Sequence, residues 1–213
     1  MTGRIVIDVF STLDGVGQGP GGLTEDTSGG FRYGGWQGPL ADDVVGREIM
    51  AGIDALDALL LGRKTYDIWA PYWPSYGDGA AHPIAAKFNS VPKYVASRGR
   101  PALEWEGSEQ LGPDTLAEVA ALKERHREIH VVGSLDFART LIDAQLFDVL
   151  NLWIFPVVLG EGKRLFAEGI APGQLVLQEP PLAAGTGAVL LRYGPAGRPR
   201  MADIDPRDDG PAD

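Results

Sequence analysis

The 213-residue chain contains no cysteine. That excludes disulfides, thiolate catalysis and cysteine-ligated zinc together. It also has no apolar run long enough to span a bilayer. Positive charge is scarce: 19 Lys and Arg stand against 29 Asp and Glu, a formal charge of −10. A general nucleic-acid binder needs the opposite balance. The start, Met1-Thr2-Gly3-Arg4 followed at once by a strand-like run, lacks the layout of a secretory signal. A cytoplasmic protein, with neither membrane nor nucleic acid as partner, is the expectation. Histidine is rare, three in all. His126 and His130 are spaced i,i+4 but straddle a helix-to-strand boundary with no acid or Cys to complete a set, so no metal is expected.

What is present is an ordinary apolar fraction, 44%, enough for a sizeable core. Arg4 to Phe10 reads as a buried strand, and Gly- and Pro-rich Ser11 to Gln37 as a long functional loop. Asp42 or Asp43 can cap a helix running to about Gly52. Ala58–Leu61, Pro92–Ala96 and Ile129–Val132 read as further strands. Helices are expected over Thr65–Trp69 (stopped by Pro71), Ile84–Asn89, from Asp114 to about Arg125, and over Leu135–Ile142. Pro71 to Gly79 reads as an exposed aromatic loop. Asp148–Phe155, Gln174–Gln178 and Ala188–Tyr193 are strands with no helices between them, which implies antiparallel pairing at one edge of an otherwise parallel sheet. The domain is expected to span 1–194. Residues 195–213, poor in apolar anchors, read as a disordered tail.

Two segments carry chemistry. Leu59-Leu60-Leu61-Gly62-Arg63-Lys64-Thr65-Tyr66 and Ile129-His130-Val131-Val132-Gly133-Ser134 each run from an apolar strand into residues that open a helix. Such ends present free N–H groups and a helix dipole, which suit phosphate. Two of them in one small α/β domain suggest a ligand with two phosphate groups, such as NADPH. Gly17-Gln18-Gly19-Pro20-Gly21-Gly22 satisfies the dinucleotide fingerprint literally, but Pro20 interrupts it and no apolar helix follows. Gly160-Glu161-Gly162-Lys163 fails as a P-loop, with Val157 and Arg164 at positions that need Gly and Ser or Thr.

With Ser11-Thr12-Leu13-Asp14-Gly15, Leu61 to Tyr66, and the stretch from Val131-Val132-Gly133-Ser134 to Phe155-Pro156-Val157-Val158-Leu159-Gly160-Glu161-Gly162-Lys163-Arg164-Leu165-Phe166, the sequence resembles the dihydrofolate reductase-like fold. The resemblance is in particular to the C-terminal reductase domain of the bacterial riboflavin-biosynthesis protein RibD, and it covers residues 4 to about 194. It implies a three-layer α/β sandwich with a mostly parallel mixed sheet and antiparallel C-terminal strands. It also implies NADPH lying across the strand ends, held by Gly62, by Arg63 at the 2′-phosphate, and by Lys64 and Thr65 at the phosphates. Ser97 and Arg98 would make a second contact to the 2′-phosphate and adenine. Backbone N–H groups of Gly133, Ser134 and Leu135 would meet the pyrophosphate. The implied chemistry is hydride transfer to a C=N or C=O bond, as in 5-amino-6-(5-phosphoribosylamino)uracil reductase or dihydrofolate reductase.

There are departures. Dihydrofolate reductase has Gly-Gly where this chain has Gly133-Ser134. Its buried carboxylate lies near Asp42 and Asp43, which can equally be caps. Asp14 is the other candidate acid, or an Asp-Gly turn. The zinc deaminase domain of RibD needs Cys ligands, so a role in riboflavin synthesis is not implied. The leading expectation is a reductase of a pteridine- or pyrimidine-like small molecule, with Asp14 and Asp42 as candidate catalytic acids. The alternatives are a non-catalytic nucleotide sensor and a true dihydrofolate reductase. Asn151-Leu152-Trp153-Ile154-Phe155, apolar on both faces near the sheet edge, suggests a homodimer in which each aromatic gains about 1.5–3 kcal/mol by burial.

Overall fold

The computed structural model describes residues 2–76 and 82–202. Strand β1 (Arg4–Thr12) enters a long loop that leads to α1 (Asp43–Ala55). Then come β2 (Ala58–Gly62), α2 (Arg63–Tyr72), α3 (Pro83–Ser90), β3 (Lys93–Ala96) and β4 (Ser108–Gln110). The chain continues through α4 (Thr115–Leu122), β5 (Glu128–Val132), α5 (Leu135–Asp143) and β6 (Val149–Phe155). It ends in β7 (Leu175–Leu177), β8 (Leu182–Ala183) and β9 (Val189–Pro195).

These strands make one sheet in the order β4-β3-β2-β5-β1-β6-β9-β7, with β8 also paired to β9. The pairs from β4 to β6 are parallel, and those of β9 with β6, β7 and β8 are antiparallel. Helix-containing connections account for most of the parallel part, while β3 reaches β4 through a loop. The helix-free C-terminal third can only fold back antiparallel.

The period of two along each strand divides the side chains between two faces. Ile5, Ile7, Val9, Ile129, Val131 and Leu150 pack with Val119 and Leu122 of α4 and Leu141 of α5. On the other face Leu59 and Leu61 pack with Ile53, Trp69 and Phe88 from α1, α2 and α3. Val6, Asp8 and Phe10 share that second face, where one cavity lies.

Several boundaries differ from the sequence reading. Pro71 does not stop α2. Its missing N–H forfeits one bond in the last turn, and the chain then tightens into a 3₁₀ turn, Trp73–Tyr76. The rest of the expected aromatic loop, 77–79, lies outside the described residues. Strands β4 and β8 were not expected; both are too short to carry an alternation.

Strand β6 is not near the edge. It lies between β1 and β9. Trp153 and Phe155 do point the same way, but they are 3% and 0% exposed within the one chain. Phe31 and Trp36, from the loop after β1, cover them, with Trp36 edge-on to Phe155 at 5.6 Å. The burial expected from a second subunit is supplied by the chain's own loop, so β6 gives no reason for association.

The expected boundary at Gly194 falls inside β9. The strand runs to Pro195, and Ala196 N–H and Gly197 C=O both bond to Gln174. Residues 203–213 of the expected tail lie outside the described residues. Truncation before Pro195 is therefore expected to lower Tm more than truncation after Gly197, a comparison that differential scanning calorimetry makes directly.

Candidate active site

Two cavities adjoin the sheet: one at the carboxyl ends of β2, β3 and β5, the usual ligand position in α/β sheets, and one along a sheet face. The first is a groove of about 900 Å³. It is lined by every one of the nine residues expected to hold a dinucleotide: Gly62, Arg63, Lys64, Thr65, Ser97, Arg98, Gly133, Ser134 and Leu135. Two turns form its centre. Gly133 turns the chain out of β5 at φ +69°, a conformation that favours glycine. The Ser134 hydroxyl does not cap its own helix; it accepts from Gly62 N–H at 2.9 Å. In return Thr65 Oγ1 donates to the Gly133 carbonyl at 3.3 Å. The departure from Gly-Gly thus has a structural use, tying the two turns together.

The cross-tie leaves a distinct pattern at the helix starts. Helices α1, α3 and α4 carry side-chain caps from Asp42, His82 and Asp114. The two helices that start at the groove, α2 and α5, have no side-chain cap. Their first-turn amides are left for an external acceptor. The Leu135 amide is the exception among the expected donors, since it turns back to the Gly133 carbonyl at 3.2 Å. Around these turns, Arg63 sits on Asp67 at 2.6 Å and Lys64 lies 3.3 Å from Asp26. Arg98 is exposed on a turn that Gln110 holds through the Ser97 and Gly99 carbonyls.

The second cavity, about 980 Å³, lies between the sheet and α1–α3. Phe10, Val132, Ile49, Trp69 and Trp153 give it apolar walls. Its floor is polar. His130 is held between Asp8 (2.6 Å) and Glu128 (3.0 Å), and Asn151 donates to Asp8 at 2.8 Å. Asp8 and its neighbours holding both ring nitrogens raise the His130 pKa to about 9 against the cost of its burial. Arg192 bonds Glu48 and lies 3.3 Å from Glu179. The sequence reading weighed His130 only as half of a metal pair and passed over Asp8, Glu128 and Asn151, although a His, an Asp and an Asn inside apolar strands are a signal in themselves. The two cavities meet at Pro20, Glu25, Asp67, Ile68, Trp69 and Gly133, which line both.

The two acids expected to be catalytic are placed elsewhere, and neither lines either of these two cavities. Asp14 accepts from Thr12 Oγ1 (2.6 Å), Leu159 N–H (3.2 Å) and Gly160 N–H (2.8 Å). The Thr12 hydroxyl and these amides hold its pKa near 2, too low for a proton donor. Its role is to latch the segment after β6 onto the turn after β1, with Arg164 closing the latch. Asp42 caps α1 through Val44 and Val45 N–H and also accepts from Thr186 N–H. Those N–H groups lower its pKa, Val45 foremost. In this geometry both carboxylates are engaged in loop and cap hydrogen bonds.

The loop after β1 is equally well tied. Buried Gln18 donates to the Asp26 and Ser28 carbonyls and accepts from Lys163 N–H. Lys163 Nζ reaches Asp26 and Ser28, each at 2.7 Å. At Gly162 a Cβ would lie 2.5 Å from Val16 Cγ1, so only glycine allows this approach. The literal fingerprint Gly17–Gly22 opens no helix.

Comparison with known proteins agrees with this geometry. The model of the RibD C-terminal domain matches residues 4–179. The chain is 31% identical over 167 residues to the uncharacterized protein YyaP of Bacillus subtilis, covering 78% of this chain and 81% of that one. A pyrimidine reductase-like protein from Corynebacterium diphtheriae superposes with a TM-score of 0.58 at 15% identity, over 91% of this chain and 92% of that one. Dihydrofolate reductase from Enterococcus faecalis, complexed with NADP(H), superposes with a TM-score of 0.54 at 15% identity, over 92% and 98%. At such identity the two structures speak to the fold, which is that of dihydrofolate reductase. By its sequence, the chain belongs to the RibD C-terminal domain family.

Proposed function

We propose that this protein is an NADPH-dependent reductase that transfers a hydride to a small pteridine- or pyrimidine-like heterocycle. One observation carries the reading: the two helices that lack side-chain caps are the two that start at the groove. Paired amide-rich helix starts fit a pyrophosphate, and Arg63, Lys64 and Arg98 fit the further charge of a 2′-phosphate. The nicotinamide supplies the hydride when bound. The chain supplies the alignment of two ligands whose cavities share a wall. The aromatic and aliphatic sides of the second cavity suit a planar ring, and its polar floor suits the heteroatoms of such a ring.

A true dihydrofolate reductase would present a substrate carboxylate from the helix after the loop. Asp42 is spent on capping, and the carboxylate that α1 contributes to the cavity, Glu48, is paired with Arg192. The test is NADPH binding followed by its oxidation with dihydropterin and aminopyrimidine panels. Absence of NADPH binding overturns the reading. Asp14→Asn is expected to lower Tm and leave NADPH affinity unchanged, because Asp14 latches a loop and touches neither cavity. Unchanged Tm with lost turnover would restore it as a catalytic acid.

A further inference from the structure

Reduction of a ring C=N bond needs a proton as well as a hydride, and neither Asp14 nor Asp42 can deliver one. We propose that Glu25 is the proton donor, standing where the dinucleotide groove and the substrate cavity meet. This inference rests on the reductase reading and adds a residue to it.

The geometry begins with placement. Of the six residues that line both cavities, two carry titratable side chains, Glu25 and Asp67. Asp67 is held as a carboxylate partner by Arg63 at 2.6 Å. Glu25 has no cationic partner among the described residues. Its Oε2 accepts from Gly21 N–H at 2.7 Å and Gly22 N–H at 3.2 Å, which fixes the carboxyl in the loop after β1. No protein partner for Oε1 occurs among the described residues. One oxygen is thus an anchor and the other is available to a ligand.

The surroundings favour the protonated form. Burial pushes the carboxyl above the usual carboxylate range, and Asp26 beside it pushes the same way, against the two glycine amides. The charged groups around it are accounted for. Asp26 is shared by Lys163 (2.7 Å) and Lys64 (3.3 Å), so those two cations are directed at Asp26. Arg63 is directed at Asp67. Tyr72 of α2 is the remaining titratable neighbour, its own pKa raised, first by its bond to Tyr76. A carboxyl whose pKa is raised toward the working pH suits a general acid.

The step balances as follows. The substrate's C=N carbon accepts a hydride from the dihydronicotinamide. The π pair moves to nitrogen, which takes the proton from Glu25 Oε1. The C=N bond becomes CH–NH, the nicotinamide is oxidised, and the Glu25 carboxylate is reprotonated by water.

The test uses the full-length protein and Glu25→Gln, whose side-chain oxygen still accepts from Gly21 and Gly22. NADPH is titrated by calorimetry in buffers of different ionisation enthalpy. Phosphates placed near Glu25 raise its pKa further, so the wild type takes up a fraction of a proton per NADPH relative to Glu25→Gln. The 2′-phosphate's own titration is common to both and cancels. With NADPH and a dihydropterin, kcat is expected to drop about 100-fold in Glu25→Gln while NADPH binds no more weakly than to the wild type, and Glu25→Asp to recover part of the loss in kcat. The wild-type kcat should fall as pH rises through the Glu25 pKa, and that limb should vanish in Glu25→Gln. NADPH binding with the same proton uptake in both proteins overturns the role of Glu25 and leaves the reductase reading standing, whether or not the dihydropterin is turned over. Failure of the wild type to bind NADPH overturns both.

Discussion

Arg63→Ala is expected to weaken NADPH binding about 10- to 100-fold and to leave NADH binding nearly unchanged, the equivalent of about 1.5–3 kcal/mol for one charge-assisted contact. Arg63 opens α2 at the rim of the groove and is already oriented by Asp67, four residues on. On the proposed reading, the substitution removes the cation expected at the 2′-phosphate and also uncovers the Asp67 carboxylate, which would then repel it. Both effects act only on the cofactor that carries the extra phosphate. Arg98, across the groove on the turn after β3, remains in the variant and keeps the loss from being total. Arg98→Ala should lose the same preference by a smaller factor, since its exposed side chain has more freedom to surrender. Fluorescence titration of both cofactors decides the matter. Equal losses for NADPH and NADH would place Arg63 at the pyrophosphate or at no phosphate at all.

The groove was legible because its signals are local. A buried strand that ends in Gly62-Arg63 or Gly133-Ser134 and opens a helix can be read along the chain, and all nine expected residues lie together. The cap of α1 by Asp42 is local in the same way. What was illegible depends on who covers whom. Trp153 and Phe155 looked unpartnered because their cover, Phe31 and Trp36, comes from a Gly-rich loop that resembles a mobile one. Its order comes from Gln18, Asp26 and Lys163, residues up to 145 positions apart that bond to one another. Glu25 sits in Thr24-Glu25-Asp26-Thr27, and nothing in that run tells which acid is raised and which lowered. Lys163 and Ser28 bonded to Asp26 hold its pKa near 2, against its burial, while burial raises that of Glu25. The polar floor lies between these cases. Asp8 and His130 stand out in apolar strands, but only the parallel pairing of β1 with β5 makes them partners.

Replacing His130 with Ala is expected to destabilise the fold by about 3–5 kcal/mol, the cost of leaving buried charge without its partner. His130 is 2% exposed and sits between two carboxylates. Without it, Asp8 keeps Asn151 and Glu128 keeps Arg4, but the two acids lose the imidazolium that bridges them. The same arrangement makes stability depend on pH. The His130 pKa is raised from 6.5 to about 9. A raised pKa means the imidazolium stabilises the fold fully below pH 6.5, and that contribution, about 3 kcal/mol, is lost as pH rises through about 9. Glu128 acts at the other end. The His130 bond lowers its pKa, so its contribution is present at neutral pH and is lost as pH falls below the usual carboxylate range. Lys93 opposes His130 on the alkaline side. Fully buried over Trp105 and bonded to the Asn89 and Glu106 carbonyls, it has its pKa lowered by burial to about 8, so the penalty of charging it in the fold eases between pH 8 and 10.5. The wild-type profile therefore mixes two opposite slopes, and the His130 contribution is read as the difference between wild type and His130→Ala in urea unfolding from pH 6 to 10. That difference should shrink steadily above neutrality as the wild type loses its imidazolium. A difference that stays constant across the range would show that His130 is neutral in the fold, bonded to acids that carry the proton themselves.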